Sequence, residues 1–268
     1  MNHSASPSDD LRDWTLIGLR AADQQAPLRR TARRHGAAFL SLPALRLLPA
    51  EDGDAARAAL QRALDCPVCL FTSPAAVRFA AGLRDLRGFS GTALALGSGT
   101  ANALRRAGVA EVRTPASGMR SEDVLALPPL HPPPAQVGLV TAPGGRGVLA
   151  ATLAQRGAQV RVAEVYRRLP AALSARARHG LRQLRQPAAL LLSSGEALQH
   201  LLAQLDAEES TRLRSAWAIS ASPRLDALAT RLGFTRRIAA ASTLPADQIA
   251  ALRAALRQPS FPKSAPFR

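Results

Sequence analysis

Residues Ala163-Glu164-Val165-Tyr166-Arg167-Arg168-Leu169-Pro170 have a counterpart earlier in the chain, in the segment that ends Ala44-Leu45-Arg46-Leu47-Leu48-Pro49. The run before the octet, Gln155-Arg156-Gly157-Ala158-Gln159-Val160, restates His35-Gly36-Ala37-Ala38-Phe39. The spacing is constant: Gly157 and Gly36 differ by 121, and so do Pro170 and Pro49. At that spacing the only tyrosine of the chain, Tyr166, falls opposite Leu45. Working outward, Trp14 to Arg20 aligns with Ala135 to Thr141, and Cys69-Leu70-Phe71-Thr72-Ser73 with Leu190-Leu191-Leu192-Ser193-Ser194, again at 121. Further on, Ala95-Leu96-Gly97 meets Ala218-Ile219-Ser220 at 123 and Gly108 meets Gly233 at 125, so small insertions accumulate. Two copies of this length predict two similar domains, not a solenoid, whose repeats are much shorter. One copy carries a phenol at the joint.

A chain of 268 residues is long enough for two domains with a core each. Hydrophobic and charged contents of 47% and 20% fit a soluble globular protein, and no stretch approaches the apolar length that spans a bilayer. Residues 1–10 are polar and end in acids, and 259–268 are proline-rich; both read as flexible tails, and the expected compartment is the cytoplasm. The formal charge of +16, nearly all from arginine, favours an anionic partner. Aromatics at 4% offer nucleic-acid bases few stacking platforms, and the arginines are dispersed instead of clustered. Cys66 and Cys69 form a C-x-x-C without the second pair or nearby histidine a zinc site needs, and it leads into Val68 to Phe71, a buried strand, where a redox pair would prefer a helix start. They read as structural. The five histidines are scattered and make no ligand spacing.

Taken in order, Thr15 to Leu19 is a short apolar strand, Pro27 to Arg34 a basic helix ended by Gly36, and Phe39 to Leu48 an extended connection through Pro43. Asp54 to Leu64 is an amphipathic helix and Val68 to Phe71 a strand that runs into Thr72-Ser73-Pro74, where a hydroxyl caps the next helix. Thr92 to Leu96 is followed by Gly97-Ser98-Gly99-Thr100 and a helix ending at Gly108; Glu111 to Arg113 and Ser121 to Leu127 supply a short strand and a helix. After the proline-rich turn 128–134 the order replays: strand 137–141, the turn Pro143-Gly144-Gly145-Arg146-Gly147, helix, strand, joint, helix, strand 188–192, Ser193-Ser194-Gly195, helix, strand 216–220, Ser222-Pro223-Arg224 and further helices. Strands alternating with helices imply parallel sheets covered on both faces, with ligands beyond the carboxyl ends of the strands.

Every hydroxyl- or glycine-rich turn lies at such an end and precedes a helix, where unpaired N–H groups face outward. None is a P-loop or a dinucleotide fingerprint. Each alone reads as a plain helix cap, and Tyr166 alone as a tyrosine packed on the linker with its hydroxyl in water. Five such turns shared by two similar domains point to a cleft that grips several carboxylates or phosphates, with a phenol placed to donate a proton to a leaving hydroxyl.

Phe71-Thr72-Ser73-Pro74-Ala75-Ala76-Val77, the turn from Gly97 to Thr100, Thr141-Ala142-Pro143-Gly144-Gly145-Arg146-Gly147, Val165-Tyr166-Arg167 and Leu192-Ser193-Ser194-Gly195 occur in that order. Together they resemble the uroporphyrinogen-III synthase family, from about Trp14 to Leu256. The resemblance implies an α/β fold of two similar flavodoxin-like parallel-sheet domains joined by a two-stranded linker, one domain inserted in the other. The expected division is 11–41 with 171–258, an inserted domain 49–161, and linker strands 42–48 and 162–170. It implies dehydrative cyclisation of hydroxymethylbilane, an octa-carboxylate, with inversion of ring D, and no metal or organic cofactor. Tyr166 would be catalytic. Substrate would be held by Arg20, Thr72, Ser73, Gly97, Thr100, Gly144, Gly145, Ser193, Ser194, Gly195 and Ser222. A monomer is expected, with no nucleic-acid or membrane partner and room for transient contact with the preceding pathway enzyme. The competing readings are a non-catalytic polyanion- or nucleic-acid-binding protein, which the charge favours, and a redox protein using the C-x-x-C.

Overall fold

The computed structural model describes residues 11–116, 121–144 and 147–258. Short apolar runs become the central strands. β4 (Val68–Phe71) and β10 (Ala188–Leu192) are buried throughout, and β7 (Gln136–Thr141) in all but its first residue. Such near-continuous apolar runs suit parallel strands covered on both faces.

The chain divides into two compact units, residues 1–46 with 169–268 and residues 47–168, so the second is inserted in the first. In the first unit the strand order is β12 (Arg237–Ala239), β11 (Trp217–Ser220), β10, β1 (Thr15–Gly18), β2 (Ala38–Ser41); in the second it is β6 (Val112–Arg113), β5 (Thr92–Ala95), β4, β7, β8 (Gln159–Glu164). All ladders within both sheets are parallel. Each sheet therefore takes two strands from one sequence copy and three from the other. The registers repeat as well: Leu16 pairs with Ala189 as Val137 pairs with Val68, and Thr15 with Ala38 as Gln136 with Gln159, each residue displaced by 121.

The expected match of Ala95 to Ala218 is corrected by the ladders. Val68 pairs with Thr92 and Ala189 with Trp217, so Thr92 and Trp217 are equivalent at a displacement of 125. All four extra residues of the second copy therefore lie between β10 and β11, which carry α8 (Gly195–Leu202) and α9 (Ala207–Arg214) between them. Helix ends follow the same duplication. Gly36 and Gly157, and Gly108 and Gly233, stand at φ between 75° and 88° just past their helices. In each case the following residue's N–H reaches back to a carbonyl five residues earlier, as in Ala37 to Ala32 and Phe234 to Ala229. That left-handed helix stop is one that glycine adopts without steric cost.

Helices cover both faces. In the first unit, Ala188, Leu190 and Leu192 pack with α7 (Ala175–Arg182), α8, α9 and α10 (Pro223–Arg231), while Ala189 and Leu191 pack with α1 (Ala26–Arg34) and α11 (Pro245–Leu256). In the second, Cys69 and Phe71 face α2 (Gly53–Leu64), α3 (Pro74–Leu83) and α4 (Ser98–Arg106), and Val68 and Leu70 face α5 (Ser121–Leu125) and α6 (Gly147–Gln155). The linker is a two-stranded sheet of β3 (Leu45–Pro49) and β9 (Tyr166–Pro170). It is antiparallel, since Ala171 N–H donates to Ala44 O at one end and Ala50 N–H to Val165 O at the other.

Three expectations change. Phe39 to Leu48 is not one extended connection: Ala38–Ser41 is an edge strand of the first sheet and Leu45–Pro49 the linker strand. Linker residues 162–164 belong to β8, paired with β7 as far as Glu164, so the second linker strand starts at Tyr166. β12 falls where only helices were read. Both unread strands are sheet edges, half-exposed and lacking the apolar runs of the central strands. The tails 1–10 and 259–268 lie outside the described residues.

One ion cluster stabilises the helical layer of the first unit. Glu209 is 1% exposed and accepts from Arg178 (2.5 Å) and Arg182 (3.0 Å), while completing a capping box with Asp206. Glu209→Ala is expected to lower stability by about 2–3 kcal/mol, from the lost box and the broken pairs, with the partly exposed arginines re-solvated. A urea midpoint equal to wild type would contradict this.

Candidate active site

The structured turns stand at the carboxyl ends of the strands because each strand feeds directly into a helix. Ser73, Ser194 and Ser222 are N-caps with extended backbones, and their Oγ atoms accept from Ala76, Ala197 and Leu225 N–H at 3.1, 3.2 and 3.3 Å. Ser73 and Ser194 are equivalent at 121, and Gly97, the N-cap of α4, is equivalent to Ser222 at 125. A cap serine accepts one helix N–H with a lone pair and keeps its O–H for another acceptor.

In the second unit two pairs of hydroxyls come together, Tyr166 with Ser73 and Thr72 with Thr141. Tyr166, first residue of β9 and 5% exposed, lies with its Oη 3.2 Å from Ser73 Oγ and its ring stacked on Phe79 at 5.2 Å and 7°. The tyrosine is thus in the core and not on the linker surface. Thr72 Oγ1 donates to Val140 O at 3.2 Å and lies 3.1 Å from Thr141 Oγ1. Thr141, quoted in the turn motif but not chosen as a candidate, is buried at the tip of β7; a hydroxyl ending an apolar strand was its signal. Gly144 stands at φ +65° beside Arg168, whose Nη2 donates to Pro143 O at 3.0 Å. Gly145 lies outside the described residues. Thr100 does not line an open edge: it is buried in the first turn of α4, its N–H bonded to Gly97 O at 3.0 Å.

The first unit holds the remaining candidates. Arg20 follows β1, donates to the carbonyl of Thr243, and has its guanidinium pKa pulled down by burial. Ser193 and Ser194 follow β10. Gly195 is a packing residue, since a Cβ there would lie 2.5 Å from Leu228 Cδ2 of α10. Cys66 and Cys69 are buried free thiols with pKa values raised by desolvation, the opposite of an activated thiolate.

The profile of the uroporphyrinogen-III synthase HemD family matches residues 26–246. The chain belongs to that family. Uroporphyrinogen-III synthases are cyclising lyases of tetrapyrrole biosynthesis, and this chain is one of them. Its fold is that of two solved structures, one named uroporphyrinogen III synthase and the other uroporphyrinogen-III synthetase. One, a mutant from the extreme thermophile Thermus thermophilus, is 18% identical with a TM-score of 0.55, over 91% of this chain and 99% of the other. The second, from Helicobacter pylori, is 17% identical with a TM-score of 0.58, over the same shares. No curated protein matches significantly. Among the described residues no helix is long and apolar enough to cross a membrane.

Proposed function

We propose that this synthase acts on hydroxymethylbilane, with Tyr166 as the proton donor and the capped turns of each unit as carboxylate holders. The observation that carries the reading is the Tyr166–Ser73 contact at 3.2 Å on a buried, ring-stacked phenol. Ser73 Oγ accepts from Ala76 N–H, so its own O–H is free to donate to Tyr166 Oη and to leave the phenolic O–H for substrate. In the step proposed, the ring A pyrrole nitrogen supplies an electron pair and the C–O bond of the hydroxymethyl group breaks. The departing hydroxyl takes the phenolic proton and leaves as water. The azafulvenium so formed meets the substituted carbon of ring D, forms a spiro intermediate and fragments; it recloses through the free α-carbon of ring D, now reversed, and the proton lost from that carbon returns to the phenolate.

Holding geometry is most of the task, because unassisted closure gives the uninverted isomer. The formal charge of +16 suits an octa-carboxylate. Cap serines and the helix-start amides behind them offer neutral donors at several points of both units. Gly97 supplies a helix start with no side chain in the way. Adding the protein to fresh hydroxymethylbilane should speed its disappearance well above spontaneous closure. Loss at the spontaneous rate would contradict the reading.

A further inference from the structure

Two buried glutamines outside the candidate set share one arrangement in the first unit. Gln248, on α11 and 0% exposed, directs Nε2 to the carbonyl oxygens of Leu192 and Ile219, both at 3.2 Å. Gln25, 1% exposed, directs Nε2 to Gly18 O (3.3 Å) and Arg20 O (2.6 Å). Leu192 and Gly18 are the last residues of β10 and β1, Ile219 precedes Ser220 at the end of β11, and Arg20 stands two residues past β1; the three strands are neighbours in the sheet. Both glutamine Oε1 atoms are buried without a partner. Turning either carboxamide over would aim that oxygen at two carbonyls, so the N–H groups are fixed toward the strand tips. An unpaired buried acceptor is a cost, and a natural chain retains few of them.

We infer that Gln248 and Gln25 are positioning residues for the substrate, setting the turns of the first unit and covering strand-end carbonyls that would otherwise turn their negative ends toward carboxylates. This rests on the reading of those turns as carboxylate holders. The helix that carries Gln248 is itself tied to the same edge: Arg20 donates to Thr243 O, Ser242 bonds Asp247, and Leu244 N–H donates to Ser242 Oγ at 3.0 Å. The second unit solves the problem differently, with the hydroxyl of Thr72 on the carbonyl of Val140 at the tip of β7.

The test compares full-length wild type, Gln248→Met and Gln25→Met for thermal midpoint, kcat, KM and the fraction of type III product from hydroxymethylbilane. Each variant should raise KM about tenfold, the effect of one misplaced buried hydrogen bond. Turnover at saturation should change less than about twofold, since the phenol belongs to the other unit. A folded variant with wild-type KM and isomer fraction, whatever its thermal midpoint, would overturn the inference and leave the carboxamides structural. If Gln248→Met does not fold, Gln25→Met decides on the same criteria. If neither folds, the inference is overturned, because the carboxamides then hold the fold itself. Failure of wild type to convert hydroxymethylbilane would overturn the functional reading instead.

Discussion

Tyr166→Phe is expected to slow formation of the type III isomer about a hundredfold, the lower end of what a positioned proton donor contributes. The substitution removes one oxygen and keeps the ring, so the stack on Phe79 and the packing of Val165 and Ala163 around it persist. Ser73 keeps its bond to Ala76 N–H and continues to cap α3. Stability should therefore stay within about 1 kcal/mol of wild type, the scale of one hydrogen bond. Ser73→Ala separates the two roles of that hydroxyl. It should cost about 1 kcal/mol of stability as a lost cap, and slow turnover less than Tyr166→Phe because the phenol remains. If Tyr166→Phe matched wild type in rate at every pH, the tyrosine would be a packing residue.

The second large effect is on stability. A Cβ at Gly138 would lie 2.1 Å from the carbonyl oxygen of Ala63 and 2.8 Å from Cys69 Sγ, so α2 crosses β7 with its backbone in the space a side chain would need. Gly138→Ala is expected to destabilise the second unit by about 3 kcal/mol or more, since the nearest obstacle is backbone and cannot rotate away. The equivalent residue in the first unit, 121 positions earlier, is Ile17, which is fully buried. Ile17→Ala should also destabilise, by about 2–4 kcal/mol, but for the opposite reason: it opens a cavity where Gly138→Ala overfills one. Urea midpoints of both variants read this directly. A Gly138→Ala midpoint equal to wild type would contradict the close crossing of α2 over β7.

The duplication was legible because its markers are physically constrained. Glycines that stop helices need a left-handed backbone, and prolines tolerate only a few places, so Gly36 with Gly157 and Pro49 with Pro170 keep their spacing. The central strands were legible for a related reason, since burial on both faces leaves little but apolar side chains. Edge strands were not: Ala38–Ser41 and Arg237–Ala239 are half-exposed and held by one ladder each. The exchange of strands between copies left no local trace, because Leu16 would pack equally well whichever copy supplied its neighbour.

At the site, the cap serines followed from the Ser-Pro and Ser-Gly turns, and Tyr166 from its solitary place in the repeat. Sequence spacing carries nothing about which hydroxyls are exposed: Thr100, expected among the substrate holders, is buried, and so is Thr141 at the tip of β7. Gln25 and Gln248 gave no signal either. A glutamine reads as a solvated residue until the fold surrounds it with carbonyls.

The identity of the product tests the central claim most directly. With wild-type protein in excess over hydroxymethylbilane, separation of the isomers should yield uroporphyrinogen III almost alone. Uroporphyrinogen I alone, at the proportion formed without protein, would contradict the account.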